Sequence, residues 1–126
     1  MVTYGARNIL IANNTLLAEK LVEGSELQID ESSENITIIN NTISMFWEGI
    51  EIYFHSKIIV KNNVVYDCDT AIKIEPINWN DAADVVVEGN KFINSNVLVF
   101  YTIGVTLKNN LFENLDIVIM SSKISR

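Results

Sequence analysis

Asn35-Ile36-Thr37-Ile38-Ile39-Asn40-Asn41-Thr42-Ile43 contains one short strand, an asparagine corner and the opening of a second strand. The same pattern returns four more times. It reads NILIANNTL from Asn8 to Leu16, KIIVKNNVV from Lys57 to Val65, DVVVEGNKF from Asp84 to Phe92 and GVTLKNNLF from Gly104 to Phe112. Ahead of each corner the apolar residues alternate: Ile9/Ile11, Ile36/Ile38, Ile58/Val60, Val85/Val87 and Val105/Leu107. Alternation at period two, in β-branched residues, marks a strand with one buried face. Past the corner the next inward position is Leu16, Ile43, Val65, Phe92 or Phe112. A further strand then follows, with inward pairs Leu27/Ile29, Ile50/Ile52, Ile72/Ile74, Val97/Val99 and Ile117/Ile119.

The corner explains its own composition. Its first position is Asn13, Asn40, Asn62, Gly89 or Asn109, and these residue types tolerate the left-handed conformation that a sharp corner needs. Its second position is asparagine in all five units: Asn14, Asn41, Asn63, Asn90 and Asn110. Their spacings are 27, 22, 27 and 20 residues, so the length variation falls between the strands, as loops on a regular scaffold require. Stacked coils place these side chains about 4.8 Å apart. An amide carries both a donor and an acceptor, so the five predict a ladder along the stack. Of the Asn-x-Ser/Thr sequons at Asn13, Asn35 and Asn40, those at Asn13 and Asn40 read as corners rather than glycan sites. Helical spacing is missing throughout. The one helical candidate is Leu17 to Glu23, which reads as one or two turns or as a loop.

Bulk properties narrow the classes. At 126 residues and 48% apolar, the chain is expected to form one domain over 1–126 with a real core. A formal charge of −7 repels phosphate backbones, so no nucleic-acid partner is expected. With one cysteine, Cys68, and one histidine, His55, neither a disulfide nor a cysteine- or histidine-based metal cluster can be built within the chain. No stretch approaches the roughly 18 apolar residues of a membrane span, so no membrane partner is expected. MVTYGARNIL lacks the basic-then-apolar order of a signal peptide. The chain therefore reads either as a small protein in itself or as a piece of a longer one.

The five I-x-I/V-x-(N/G)-N tracts and their following strands resemble the right-handed parallel β-helix proteins of the pectin-lyase-like group, over about Asn8 to Ser122. The resemblance implies an all-β, right-handed parallel β-helix (a solenoid) of about five coils. That group spans polysaccharide lyases and hydrolases, phage tailspikes, adhesins and periplasmic accessory proteins. By the same analogy the expected location is extracellular or cell-surface. The polygalacturonase-like signatures Asn-Thr-Asp, Asp-Asp and Gly-His-Gly do not occur in this chain. Pectate lyases of the group use carboxylates on calcium and a Lys or Arg base. Here the arginines are Arg7 and Arg126, both near the ends, which leaves Lys73 as the best-placed base.

Outward positions of the last strand in each unit form two rows: Gln28, Glu51, Lys73, Leu98, Val118 and Asp30, Tyr53, Glu75, Phe100, Met120. Glu51, Lys73 and Glu75 are the candidate catalytic set, because two carboxylates and an amine can do acid/base work. The plainer reading is a solvated face with cross-strand ion pairs. Tyr53, Trp47 and Trp79 are candidate ligand contacts, since an exposed ring stacks on sugar; either Trp could instead fold over the sheet. Asp67 and Asp69 flank Cys68, which reads as a core residue. With Glu75 or Glu48 they could hold Ca²⁺, the only cofactor considered; a polar turn with capping carboxylates explains them as well. Leu98, Phe100, Val118 and Met120 are apolar in outward positions, which marks an interface. Self-association or continuation into a longer β-helix is expected, with polysaccharide as the candidate ligand. The leading function is a non-catalytic structural or carbohydrate-contacting module. The alternatives are a polysaccharide lyase or glycoside hydrolase, and an oligomerising tailspike- or adhesin-like scaffold.

Overall fold

The structure, a computed structural model, describes the chain except for residues 4, 31–32, 54–56, 76–81, 101–102, 121–122 and 126, and the side chains of 2, 82–83, 103 and 123–125. Its described strands are β1 (Val2–Thr3), β2 (Arg7–Ala12), β3 (Thr15–Ile29), β4 (Glu34–Ile39), β5 (Thr42–Tyr53), β6 (Ile58–Lys61), β7 (Val64–Tyr66) and β8 (Thr70–Glu75). They continue as β9 (Ala82–Glu88), β10 (Lys91–Ile93), β11 (Asn96–Phe100), β12 (Ile103–Lys108), β13 (Leu111–Glu113), β14 (Ile117–Met120) and β15 (Lys123–Ser125). Every strand pairing among the described residues is parallel.

The pairings wind the chain into a solenoid with three faces. The first face stacks β2, β4, β6, β9, β12 and β15. The second stacks the openings of β3 and β5 with β7, β10 and β13. The third stacks β1, the ends of β3 and β5, then β8, β11 and β14. Five asparagine-marked units are thus joined by four coil-to-coil steps.

Identical registers explain the core. Ile9, Ile36, Ile58, Val85 and Val105 stand in one inward row on the first face. Ile36, Ile38, Ile43, Ile50, Ile52, Ile58, Ile72 and Ile74 are wholly buried, as are Val65, Phe92, Val97 and Val99. Burying each such side chain contributes about 1.5–3 kcal/mol. Cys68 is buried among them at 3% exposure, as a small apolar residue would be. The top of the stack differs. Ile117 keeps 39% of its surface, although its equivalents Val97 and Ile72 keep none, because no strand covers β14 among the described residues.

Residues 17–23 are strand, not helix. They belong to β3, which runs beside β5 from Thr15↔Thr42 to Ile29↔Ile52. Between the registers Leu17↔Ser44 and Ser25↔Glu48, β3 carries residues 18–24 where β5 carries only 45–47. The surplus is taken up by bulges in an exposed ribbon, so the apolar spacing of Leu17, Leu21 and Val22 reflects no buried helical face.

Candidate functional site

Asn14, Asn41, Asn63, Asn90 and Asn110 stand in single file at the corner between the first two faces. Nδ2 of each of the first four donates to Oδ1 of the next at 3.0 Å. The backbone N–H of the same residue donates to that oxygen at 2.9–3.0 Å. The second amide proton goes down one coil: Asn41, Asn63, Asn90 and Asn110 donate to the carbonyls of Ile11, Ile38, Val60 and Val87. Two donors and two acceptor lone pairs are therefore all used at Asn41, Asn63 and Asn90. The preceding residues Asn13, Asn40, Asn62, Gly89 and Asn109 all have φ between 54° and 69°.

A second file lies at the next corner, which the sequence reading missed. Asn94 donates to the Asp67 carboxylate at 3.0 Å, and Asn114 donates to Asn94 at 2.7 Å. Both asparagines, Asp67 and Met45 have positive φ. The signal was present: each of the four follows its ladder asparagine by four residues. Asp67 and Asp69 are both exposed, and they sit on either side of buried Cys68. No group of three His, Cys, Asp or Glu side chains converges on a point among the described residues. Burial pushes the Cys68 thiol up, with the Asp67 charge adding to it against hydrogen bonds to the Phe46 and Met45 backbone.

The third face does bring Glu51, Lys73, Glu75 and Tyr53 together. Registers Glu51↔Lys73 and Tyr53↔Glu75 set them side by side on adjacent strands. Lys73 Nζ lies 3.7 Å from Glu51 Oε2 and 3.5 Å from Glu75 Oε1. The Tyr53 hydroxyl donates to Glu51 Oε2 at 3.3 Å. Ser25, which the sequence did not single out, reaches Glu51 Oε1 at 3.1 Å and Glu48 Oε2 at 3.4 Å. A hydroxyl has one proton, so it serves one carboxylate at a time.

Glu51 is the buried member, at 7% exposure. Burial pushes its carboxyl above the ordinary value, opposed by the Ser25 hydrogen bond; the Glu48 charge raises it further, while Lys73 and Tyr53 draw it down. The Tyr53 phenol is raised as well, by burial first and then by the Glu75 and Glu51 carboxylates. Next to Glu48 in the chain, Trp47 lies within β5, and 44% of it is exposed. Trp79 and His55 lie outside the described residues. Higher on the same face the outward rows turn apolar: Leu98 pairs with Val118 and Phe100 with Met120. Leu98 and Phe100 are half-buried, whereas Val118 and Met120 are exposed.

No curated protein and no solved structure matches this chain. A family model described as a right handed beta helix region matches residues 1–124. Nearly the whole chain is covered, the strands are all parallel, and the asparagine file repeats coil by coil, so the chain belongs to the right-handed beta helix family.

Proposed function

We propose that this chain is a non-catalytic, carbohydrate-contacting β-helix module whose contact surface is the lower half of the third face. The observation that carries the reading is the exposed Trp47 beside a fixed polar platform. Glu48 adjoins Trp47 and shares Ser25 with Glu51, and Glu51 joins Tyr53, Lys73 and through it Glu75. An aromatic ring next to aligned hydrogen-bonding groups on a rigid sheet suits a sugar ring, which has apolar faces and a polar rim.

The charges favour one kind of sugar. Glu51 and Glu75 flank the Lys73 ammonium, Glu48 adds a third carboxylate through Ser25, and the chain as a whole carries −7. Polyuronates would be repelled by such a surface, whereas neutral or amino-bearing glycans would not.

The platform suits binding better than turnover. Lys73 is held between two carboxylates. A hydrolytic reading has one observation behind it, the raised Glu51 carboxyl, since a general acid must hold its proton near neutrality. Glycan-array binding followed by tryptophan fluorescence tests the choice. Neutral or amino-glycan binding that Trp47→Ala abolishes, with no sugar released, is the expected result. Reducing-sugar release that Glu51→Gln eliminates would replace binding with hydrolysis.

A further inference from the structure

Ser25 stands between two carboxylates. Its hydroxyl lies 3.1 Å from Glu51 Oε1 and 3.4 Å from Glu48 Oε2, and its single proton serves one of them at a time. We propose that this hydroxyl is a proton-controlled bridge: uptake of one proton by Glu51 turns Ser25 from Glu51 to Glu48 and removes one negative charge from the platform on the third face.

The sequence builds the bridge where the surplus of β3 ends. Gly24, the last residue of the exposed ribbon, has φ of 106°, a backbone that glycine adopts far more readily than other residues. Register resumes immediately after it, with Ser25 opposite Glu48 and Gln28 opposite Glu51.

The two oxygens of Glu51 have unlike neighbours. Oε2 faces the Lys73 ammonium at 3.7 Å and the Tyr53 hydroxyl at 3.3 Å. An ammonium only donates, so Oε2 stays an acceptor. Oε1 faces a hydroxyl, which donates or accepts according to how it turns. The proton therefore settles on Oε1. The new O–H of Glu51 donates to Ser25 Oγ, and the Ser25 O–H swings to Glu48 Oε2. The proton comes from solvent, and no bond of Ser25 breaks. Glu51, Ser25 and Glu48 then stand in one donor-to-acceptor line, whereas with Glu51 ionised the hydroxyl leaves one carboxylate unserved.

The surroundings suit such an uptake. Glu51 keeps 7% of its surface, and a buried charge is costly unless it is well paired. β3 brings Ser25 and Gln28 to it, with Glu26 between them, and the Gln28 amide donates to Asp30 at 2.8 Å. β5 itself brings Glu48 and Tyr53. β8 brings Lys73, which is shared with Glu75 at 3.5 Å. β7 meets β5 at Thr42–Ser44, on the second face. Burial pushes the Glu51 carboxyl up, the Ser25 hydrogen bond opposes it and the Glu48 charge adds to the rise.

For the sugar surface proposed above, on which this consequence alone rests, the bridge sets the charge that a cationic sugar meets. Once pH passes the folded value of Glu51, the platform gains a negative charge and attracts a cation more strongly. A neutral sugar feels little of the change.

Carbon-13 NMR of the side-chain carboxyls between pH 4 and 8, without sugar, reads the bridge. Glu51 is expected to titrate above 4.5. Ser25→Ala removes a donor to its carboxylate and should move the midpoint up. Glu48→Gln removes a neighbouring charge and should move it down. Ser25→Thr keeps a hydroxyl and should keep the native midpoint. The Glu48 resonance should inflect at the Glu51 midpoint, where it gains the Ser25 proton, and Ser25→Ala should shrink that inflection. A Glu51 midpoint or a Glu48 inflection that Ser25→Ala leaves unchanged overturns the bridge. Binding of an N-trimethylated glucosamine oligomer, whose cation does not titrate, and of its neutral N-acetylated counterpart reads the consequence. Affinity for the cationic oligomer is expected to rise about tenfold through the Glu51 midpoint, equivalent to one pKa unit of linkage. Glu51→Gln should flatten that rise, and the neutral oligomer should show none. A flat profile for a bound cationic oligomer overturns the charge control. Binding of neither oligomer, with the NMR titrations as described, supports the bridge and overturns the sugar surface.

Discussion

Asn63 Nδ2 lies 3.0 Å from Asn90 Oδ1, and the Asn63 backbone N–H reaches the same oxygen at 2.9 Å. Asn63 in turn receives both N–H groups of Asn41. Removing its side chain breaks four hydrogen bonds and strands up to three buried or half-buried groups, since Asn90 Oδ1 keeps the backbone N–H of residue 63; each costs about 1–3 kcal/mol if unsatisfied. Some will find water, so Asn63→Ala is expected to cost about 3–5 kcal/mol. Asn14, at the end of the file, loses one side-chain bond and keeps its backbone bond to Asn41. Asn14→Ala is expected to cost about 1 kcal/mol. Urea unfolding of the two variants checks the order, and equal losses would contradict the ladder as a source of stability.

Met45 has φ of 69°, at the corner position held in later coils by Asp67, Asn94 and Asn114. An ordinary L-residue in that region is strained by about 1–2 kcal/mol. Met45→Asn is expected to raise stability by about 0.5–1 kcal/mol, read as a higher thermal midpoint. A lower midpoint would mean that the half-buried Met45 side chain contributes more than the strain removes.

Gly49 packs directly against the next coil. A Cβ there would stand 2.8 Å from Val65 Cγ1 and 2.9 Å from the Ala71 carbonyl oxygen. The backbone oxygen cannot swing aside as a side chain would. Gly49→Ala is expected to cost about 1–3 kcal/mol through overpacking, measured by chemical denaturation.

Glu51 predicts a pH dependence whose sign is unusual for a carboxylate. Its folded pKa is raised above the ordinary 4.5, by burial before any other cause. Between the unfolded and the folded value the native state binds more protons than the unfolded state, so stability falls as pH rises through that window. Its contribution is fully present below 4.5 and is lost once pH passes the folded value. Glu51→Gln should flatten this part of the stability profile. Denaturation midpoints from pH 4 to 8 supply the test, and an unchanged slope would show that Glu51 is not the group responsible.

Cys68 offers an independent probe. The thiol is buried, and burial raises its pKa. Thiolate is the reactive form. A thiol reagent should leave the folded chain untouched and modify it at the rate of opening in denaturant. Rapid labelling of the native state would place Cys68 outside the core.

The sequence made the fold legible because a stacked coil repeats its constraints. Ile36, Ile58 and Val85 share an environment, so they share a residue class, and the corner asparagines recur for the same reason. Where one coil has no copy, the pattern gave less. Residues 17–23 had apolar positions but no counterpart in the other units, and a bulged strand imitated a helical spacing there. Ser25 lies at the end of that same surplus, so its place beside Glu51 could not be read from spacing. The second file was visible four residues beyond each ladder asparagine, but Met45 and Asp67 differ in type from Asn94 and Asn114, which hid the shared backbone conformation. Rows on the third face followed from the alternation of Ile50, Ile52, Ile72 and Ile74. Whether Glu51 would be covered by its neighbours did not, because that depends on side chains from three strands.

The amide file also separates two dimensions of the molecule. Each step from Asn14 to Asn110 has the same hydrogen-bonded rise, yet the coils spend 27, 22, 27 and 20 residues on it. Axial length is thus metered by the count of ladder asparagines, and residues inserted between two of them can only widen the girth. Surface ribbons such as 18–24 are free to be lengthened, trimmed or exchanged between coils without altering the height of the column.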